Sequence, residues 1–240
     1  MNKEWLYLNT GVSNGEFNMS CDEFLLEELM AESIALPILR VYSWASQTLS
    51  VGVNQKSSSS LFPLVKRITG GQAVLHGTKD DELTYSIVFS IPSSVLNVKK
   101  IYFDIGQVLI SFLSNFGLAG KIGYSDKNYI DDFNCFDSKT SADIVACDVK
   151  VIGSAQKRKT KKDSQGNRNQ YILQHGSIRL DIIRKLSQMD VSFDQAADHL
   201  KASFERELRI KFFNYSLSKE DYERISEVGK SKTNELRIEN

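Results

Sequence analysis

Only three of the 240 residues are cysteine, at positions 21, 135 and 147. An odd number with wide, irregular spacing fits neither a disulfide framework nor a zinc site built on paired CxxC ligands, so reduced thiols are expected. Net charge is missing too, since thirty basic residues balance thirty acidic ones. No overall field draws the chain to nucleic acid or to an anionic membrane. No apolar run approaches the roughly 18 residues of a membrane span, and the opening MNKEWLYLNTG lacks the apolar stretch of a signal peptide. These absences predict a cytoplasmic protein with no membrane partner. Internal repeats and long Pro/Gly/Ser linkers are also lacking. What is present, 41% hydrophobic and 25% charged residues, suits one globular unit with a single core.

The apolar period changes several times along the chain. In FNMSCDEFLLEELMAE, Cys21, Leu25 and Leu29 recur four apart beside Phe24, one face of a helix that buries Cys21. ILRVYSW and TLSVGVNQ are short and rich in β-branched or aromatic residues, as strands are. A second helix through KKIYFDIGQVLISFLSNFG carries a stripe of Ile101, Ile105, Leu109, Phe112 and Phe116, with Gly117 as its left-handed stop. DIVACDVKVIGSAQ reads as a hairpin turning near Cys147 and Asp148, and YILQHGSIRLDI returns after a polar loop. Ser192 with Gln195 and Ser218 with Asp221 have capping-box spacing at the starts of two closing helices. Mixed strands and helices without strict βαβ alternation predict an α/β or α+β domain. Residues 1–190 read as the catalytic part, and 191–240 as a helical C-terminal segment with a charged tail of the same domain.

Three stretches can carry chemistry. In KRITGGQAVLHGTKDDELTYSI, Gly70 and Gly71 permit a close backbone approach to a ligand, although a glycine pair is also an ordinary turn. His76 alone reads as an ordinary hydrogen-bonded histidine. In KVIGSAQKR, Lys150 stands inside an apolar strand, where a buried amine needs a task or a partner. Simple alternation instead puts it on the solvent side of an edge strand. LQHGSIRLD offers Gly176 as another close-approach position.

Taken in order, NMSCDEFLL, RVYSW, KRITGGQAVLH, ELTYSI, KVIGSAQKR and LQHGSIRLD resemble the motifs of the lipoate-protein ligase, biotin-protein ligase and lipoyl(octanoyl) transferase superfamily, from about residue 5 to 225. CFDS, followed fifteen residues after Cys135 by Lys150, is similar to the branch of octanoyltransferases with a cysteine nucleophile, where CFDAPS precedes KIAGSAQ. The proline of that element is replaced here by Ser138-Lys139-Thr140, and the glycine before Lys150 by Asp148, a residue that tolerates a left-handed turn. ATP-dependent ligases generally lack the cysteine and usually carry an accessory C-terminal domain, whereas this sequence closes on two short helices.

The resemblance implies a mixed, mainly antiparallel sheet flanked by helices, and transfer of an octanoyl group from acyl carrier protein to a lysine of an apo lipoyl domain, such as the glycine cleavage H protein. Cys135 would be the nucleophile and Lys150 its activating ammonium, later a proton relay and carbonyl polariser. It implies that Arg67 belongs to the substrate site, that Thr69, Gly70 and Gly71 line the acyl tunnel, and that Ala73, Val74 and Tyr85 form its apolar wall. His76 and the turns Gly153-Ser154-Ala155 and His175-Gly176-Ser177 would close around the reacting carbonyl. No metal and no cofactor is implied, with ATP needed only if the chain is instead a lipoate ligase. Cys21 and Cys147 read as inert, buried thiols.

Residues 157–162 place five basic side chains in six positions. They read as a solvated hairpin loop, with a docking site for acidic carrier proteins as the functional alternative. A nucleic-acid site lacks the aromatic interleaving that such sites use. Besides the ATP-dependent ligase, the competing readings are amidotransfer between lipoyl domains and a non-catalytic module that binds acylated carriers.

Overall fold

The computed structural model of the protein describes residues 3–55, 60–123 and 142–238. Cys135 lies outside the described residues. The strands are β1 (Glu4–Ser13), β2 (Ile38–Trp44), β3 (Thr48–Val51), β4 (Leu64–Lys66), β5 (Val74–His76), β6 (Glu82–Pro92), β7 (Gly120–Ile122), β8 (Asp143–Ala146), β9 (Val149–Lys162), β10 (Arg168–Arg179) and β11 (Lys211–Asn214). The helices are α1 (Gly15–Met30), α2 (Val98–Ser114), α3 (Leu180–Ser187), α4 (Phe193–Leu208) and α5 (Lys219–Ile238).

Eight strands form one sheet in the order β11-β1-β2-β6-β10-β9-β8-β7, and β4-β3-β5 form a second, small sheet. In the large sheet β1 runs parallel to β2 and β11, and the other pairings are antiparallel, so the sheet is mixed and mainly antiparallel.

Side-chain alternation divides the large sheet into two unlike faces. Leu39 and Val41 of β2, Leu83, Tyr85, Ile87 and Phe89 of β6, and Ile172 and Ile178 of β10 point to a core closed by α2, α3 and α4. The stripe residues Ile101, Ile105, Leu109 and Phe112 of α2, with Phe116 just past its end, are all buried there. At roughly 2 kcal/mol for each large apolar side chain, that burial outweighs the ~1 kcal/mol cost of Gly106 in the helix interior. A side chain at Gly106 would come within 3.1 Å of Ile122 on β7. The opposite face is covered by α1 and α5, with Leu25, Leu26 and Leu29 packed on Leu8, Ile38, Val88, Tyr171 and Leu173.

Helix starts follow the sequence signals. Asn14 caps α1 by accepting from Phe17 N at 2.8 Å, and Ser192 with Gln195 forms the capping box of α4. Ser218 and Asp221 repeat it before α5.

Three expectations are corrected. Residues 157–162 are not a loop: β9 continues to Lys162 and the turn occupies only the residues before Arg168, because each residue of the stretch pairs with one of β10. The segment 191–240 is not wholly helical, since β11 pairs with β1 at the sheet edge. Cys147 is exposed rather than buried, because it and Asp148 form the hairpin turn with φ of 48° and 61°. Among the described residues no helix is long and apolar enough to cross a membrane.

Candidate active site

Even-numbered positions of β2 and β6 and odd-numbered positions of β10 carry polar side chains to the α1 face. Pairing aligns Arg40 with Ser86 and Ser86 with His175, and in the next row Tyr42 with Thr84 and Thr84 with Ser177. Asp22 of α1 meets these rows. Its carboxylate accepts from Arg40 Nη1 at 2.7 Å, Ser86 Oγ at 2.7 Å, Tyr42 OH at 3.0 Å and His175 Nδ1 at 3.0 Å. Burial alone would raise the Asp22 carboxyl, but the Arg40 guanidinium, then His175 and Ser86, reverse this and hold it at about 2. Asp22 is therefore ionised and can only accept. Burial also lowers His175, which stays neutral with its proton on Nδ1 and accepts through Nε2 from Thr69 Oγ1 at 2.7 Å. One carboxylate thus fixes the ring that holds the residue before Gly70-Gly71.

The small sheet closes over the same face and encloses a cavity. Its walls include Met19, Tyr42 and Trp44 on one side, Arg67, Gly71 and Val74 on another, and Gly153, Ser154, Ala155, His175, Gly176 and Ser177 on the sheet floor. The glycine loop is held from within: Arg67 donates to the carbonyls of Ser50 at 2.9 Å, Gly70 at 3.1 Å and Gln72 at 2.5 Å. Gly71 has φ of +92°, and a side chain at Gly52 would meet the Gly71 carbonyl oxygen at 2.3 Å. Both positions therefore require glycine.

Gly153-Ser154-Ala155 and His175-Gly176-Ser177 are not turns. They are paired mid-strand residues, with Ala155 opposite His175, Ser154 opposite Gly176 and Gly153 opposite Ser177. Gly176 is obligatory, because a Cβ there would lie 2.6 Å from Tyr85 Cε1 and 2.8 Å from the Gly153 carbonyl oxygen. Tyr85 stands on the far face with its hydroxyl 2.9 Å from Ser154 Oγ, and Ala73 is buried beside the lining residue Val74.

Lys150 is not on the solvent side of an edge strand. β9 lies between β8 and β10, and its pairing with β8 skips Val151, since Ile144 faces Ile152 while Val145 faces Lys150. This bulge returns Lys150 to the face of Gly153 and Asp143. Lys150 Nζ lies 3.1 Å from Asp143 Oδ1, with both side chains buried. Asp143 also lines the cavity.

A second buried chain runs along the cavity wall. His76 Nδ1 is 2.8 Å from Glu82 Oε1, and His76 Nε2 is 2.8 Å from Ser50 Oγ. Trp44 stacks on the His76 ring with centroids 3.8 Å apart, and its Nε1 donates to Thr84 Oγ1, which donates to Glu82. Sequence reading did not single out Asp22, Arg40, Tyr42, Trp44, Ser50, Glu82, Thr84 or Asp143. A polar alternation within RVYSW and ELTYS was the available signal. Among the described residues no group of three or more His, Cys, Asp or Glu side chains is placed to hold a metal ion.

Comparison with known proteins agrees with this geometry. Residues 14–190 match the family described as the lipoyl protein ligase A/B catalytic domain. The chain is 34% identical to the octanoyltransferase LipM of Carboxydothermus hydrogenoformans, over 84% of this chain and 75% of that protein. It is 30% identical to LipM of Bacillus subtilis over 97% of this chain and 96% of that one. Its fold is similar to that of a putative lipoate protein ligase from T. acidophilum with bound lipoic acid, with a TM-score of 0.71 at 21% identity, covering 95% of this chain and 94% of that one.

Proposed function

Because the chain belongs to the lipoyl protein ligase A/B catalytic-domain family, in its octanoyltransferase branch, we propose that it moves an octanoyl group from acyl carrier protein to a lysine of an apo lipoyl domain through a Cys135 thioester. It is an acyltransferase of lipoate biosynthesis. The observation that carries the finer reading is the bulge that delivers Lys150 to the cavity face beside Asp143.

A thiol with a pKa of about 8.5 is mostly protonated at neutral pH, and a nearby ammonium favours the thiolate. In this reading Lys150 supplies that charge to Cys135. The thiolate attacks the octanoyl thioester, the carrier thiol leaves, and the acyl chain lies in the cavity between Met19, Trp44 and Val74. The acceptor amine then attacks the enzyme thioester while Lys150 polarises its carbonyl. Neither half-reaction needs a nucleotide or a metal, and both substrates are cytoplasmic carriers.

The test is intact-protein mass spectrometry after mixing with octanoyl acyl carrier protein and no ATP, with Cys135→Ser alongside. An octanoyl adduct on the wild type, absent as a thioester from the variant and discharged onto an apo lipoyl domain, is the expected result. Acceptor modification only with ATP and free lipoate would make the chain a ligase.

A further inference from the structure

The discharge half-reaction needs a base that the acyl-transfer reading has not supplied. A lysine amine with a pKa of about 10.4 arrives as an ammonium and must lose a proton before it can attack. The resemblance gives that task to Lys150, but the Asp143 carboxylate lies 3.1 Å from the Lys150 ammonium in a buried setting. Neutralising Lys150 would leave a buried carboxylate uncompensated, a state that costs several kcal/mol.

The cavity wall offers another acceptor. We propose that Ser50, His76 and Glu82 form a proton relay that removes the proton from the acceptor ammonium, a role that rests on the acyl-transfer reading above. Ser50 and His76 both line the cavity. Arg67 Nη1 donates to Ser50 Oγ at 3.0 Å, which turns the hydroxyl proton toward His76 Nε2 at 2.8 Å. Glu82 is fully buried. Burial would raise its carboxyl, but His76 and then Thr84 and Ser177 bring it below its ordinary value. It is thus a carboxylate, holds the Nδ1 proton of His76 at 2.8 Å, and stabilises the imidazolium that forms when Nε2 is protonated. The other oxygen of Glu82 is fixed by Gly77 N at 3.1 Å. Arg67 touches the relay at Ser50, and His175 lines the same cavity, close enough for its charge to be felt by His76.

The balance is complete. The ammonium N–H bond breaks as its proton passes to Ser50 Oγ, and the Ser50 proton passes to His76 Nε2. The amine attacks the thioester carbonyl and the C–S bond breaks. The second amine proton goes to the leaving sulfur, and His76 returns its proton through Ser50 to solvent once the amide product departs. The sum is thioester plus ammonium giving amide, thiol and one released proton. In this relay Ser50 meets the reacting amine, His76 acts through the Ser50 hydroxyl, and Glu82 positions the ring.

The two half-reactions separate the relay from the reading beneath it. Wild type, His76→Gln and Glu82→Gln are charged with octanoyl acyl carrier protein alone, and adduct formation is timed by mass spectrometry. Each adduct is then discharged with apo lipoyl domain, or with hydroxylamine, which is already unprotonated at neutral pH. Both variants should slow discharge onto the lipoyl domain about 100-fold more than they slow adduct formation or discharge onto hydroxylamine. Equal slowing with both acceptors, or slowing with neither, overturns the relay. If His76→Gln does not fold, Ser50→Ala removes the relay oxygen without altering the charge of Glu82 and carries the same expectation. A wild type that never forms an adduct overturns the acyl-enzyme reading, and the relay with it.

Discussion

Lys150 and Asp143 meet on one face of the sheet, Nζ to Oδ1 at 3.1 Å, because a single skipped residue, Val151, breaks the alternation of β9. Asp143→Asn removes a counter-charge from a buried ammonium and should lower stability by on the order of 3 kcal/mol, read as a fall in the urea midpoint. The double variant Lys150→Met with Asp143→Leu should recover most of that stability, since an apolar pair can replace a buried ion pair. It should recover none of the acyl transfer. A double variant no more stable than Asp143→Asn would contradict this account.

Acid should attack the Asp22 cluster. The folded carboxyl sits at about 2, below the roughly 4 of an unfolded chain. The contribution of Asp22 is therefore present above pH ~4 and is lost as pH falls toward 2, amounting to on the order of 2 kcal/mol. Asp22→Asn should flatten that part of the stability curve and lower the plateau, because Arg40 is left buried without its charge partner. Denaturant midpoints between pH 2 and 6 measure both.

Glycine substitutions should separate the sheet from the loop. Gly176→Ala places a methyl 2.6 Å from Tyr85 and should cost about 1–3 kcal/mol by overpacking. Gly52→Ala meets the Gly71 carbonyl oxygen instead. It should shift the glycine loop and reduce acyl transfer more than it reduces the melting temperature.

The thiols should differ sharply in reactivity. Burial pushes Cys21 up to about 11, a rise that Arg40 only partly offsets, whereas Cys147 is exposed at a turn. In a Cys135→Ser background, a thiol reagent at neutral pH should label Cys147 alone until the protein is unfolded. Labelling of Cys21 in the native state would show that α1 opens.

The basic ribbon divides by face. Lys159 contacts Glu27 and Lys161 donates to the Met30 carbonyl at 2.7 Å, both on α1, while Arg158 and Lys162 point the other way. If acidic carriers dock here, Arg158→Glu with Lys162→Glu should raise the carrier KM severalfold in low salt, and salt should erase the difference. An unchanged KM at low salt removes the docking surface.

The helices and strands were legible because their signals are local: the Ile101 to Phe116 stripe, the Ser192–Gln195 capping box and the Cys147–Asp148 turn all occur as the sequence predicts. Lys150 was misplaced by alternation because a bulge depends on the partner strand and leaves no mark in its own. The stretch 157–162 looked like a loop for its charge alone, but extended pairing with β10 tolerates charge on an exposed ribbon. Asp22 and Glu82 went unread because each is ordinary in isolation. Only cross-strand pairing brings Arg40, Ser86 and His175 into one row beneath α1.

The place of β1 between β2 and β11 also bears on how the chain is made. β1 keeps one hydrogen-bonding edge open until residues 211–214 have emerged, long after β1 itself. Throughout that interval Trp5 waits for Phe204 and Phe212, the rings it packs against in the finished core. A nascent chain of this shape is exposed to edge-to-edge association, so slow synthesis of the residues between β1 and β11 should increase its dependence on chaperones.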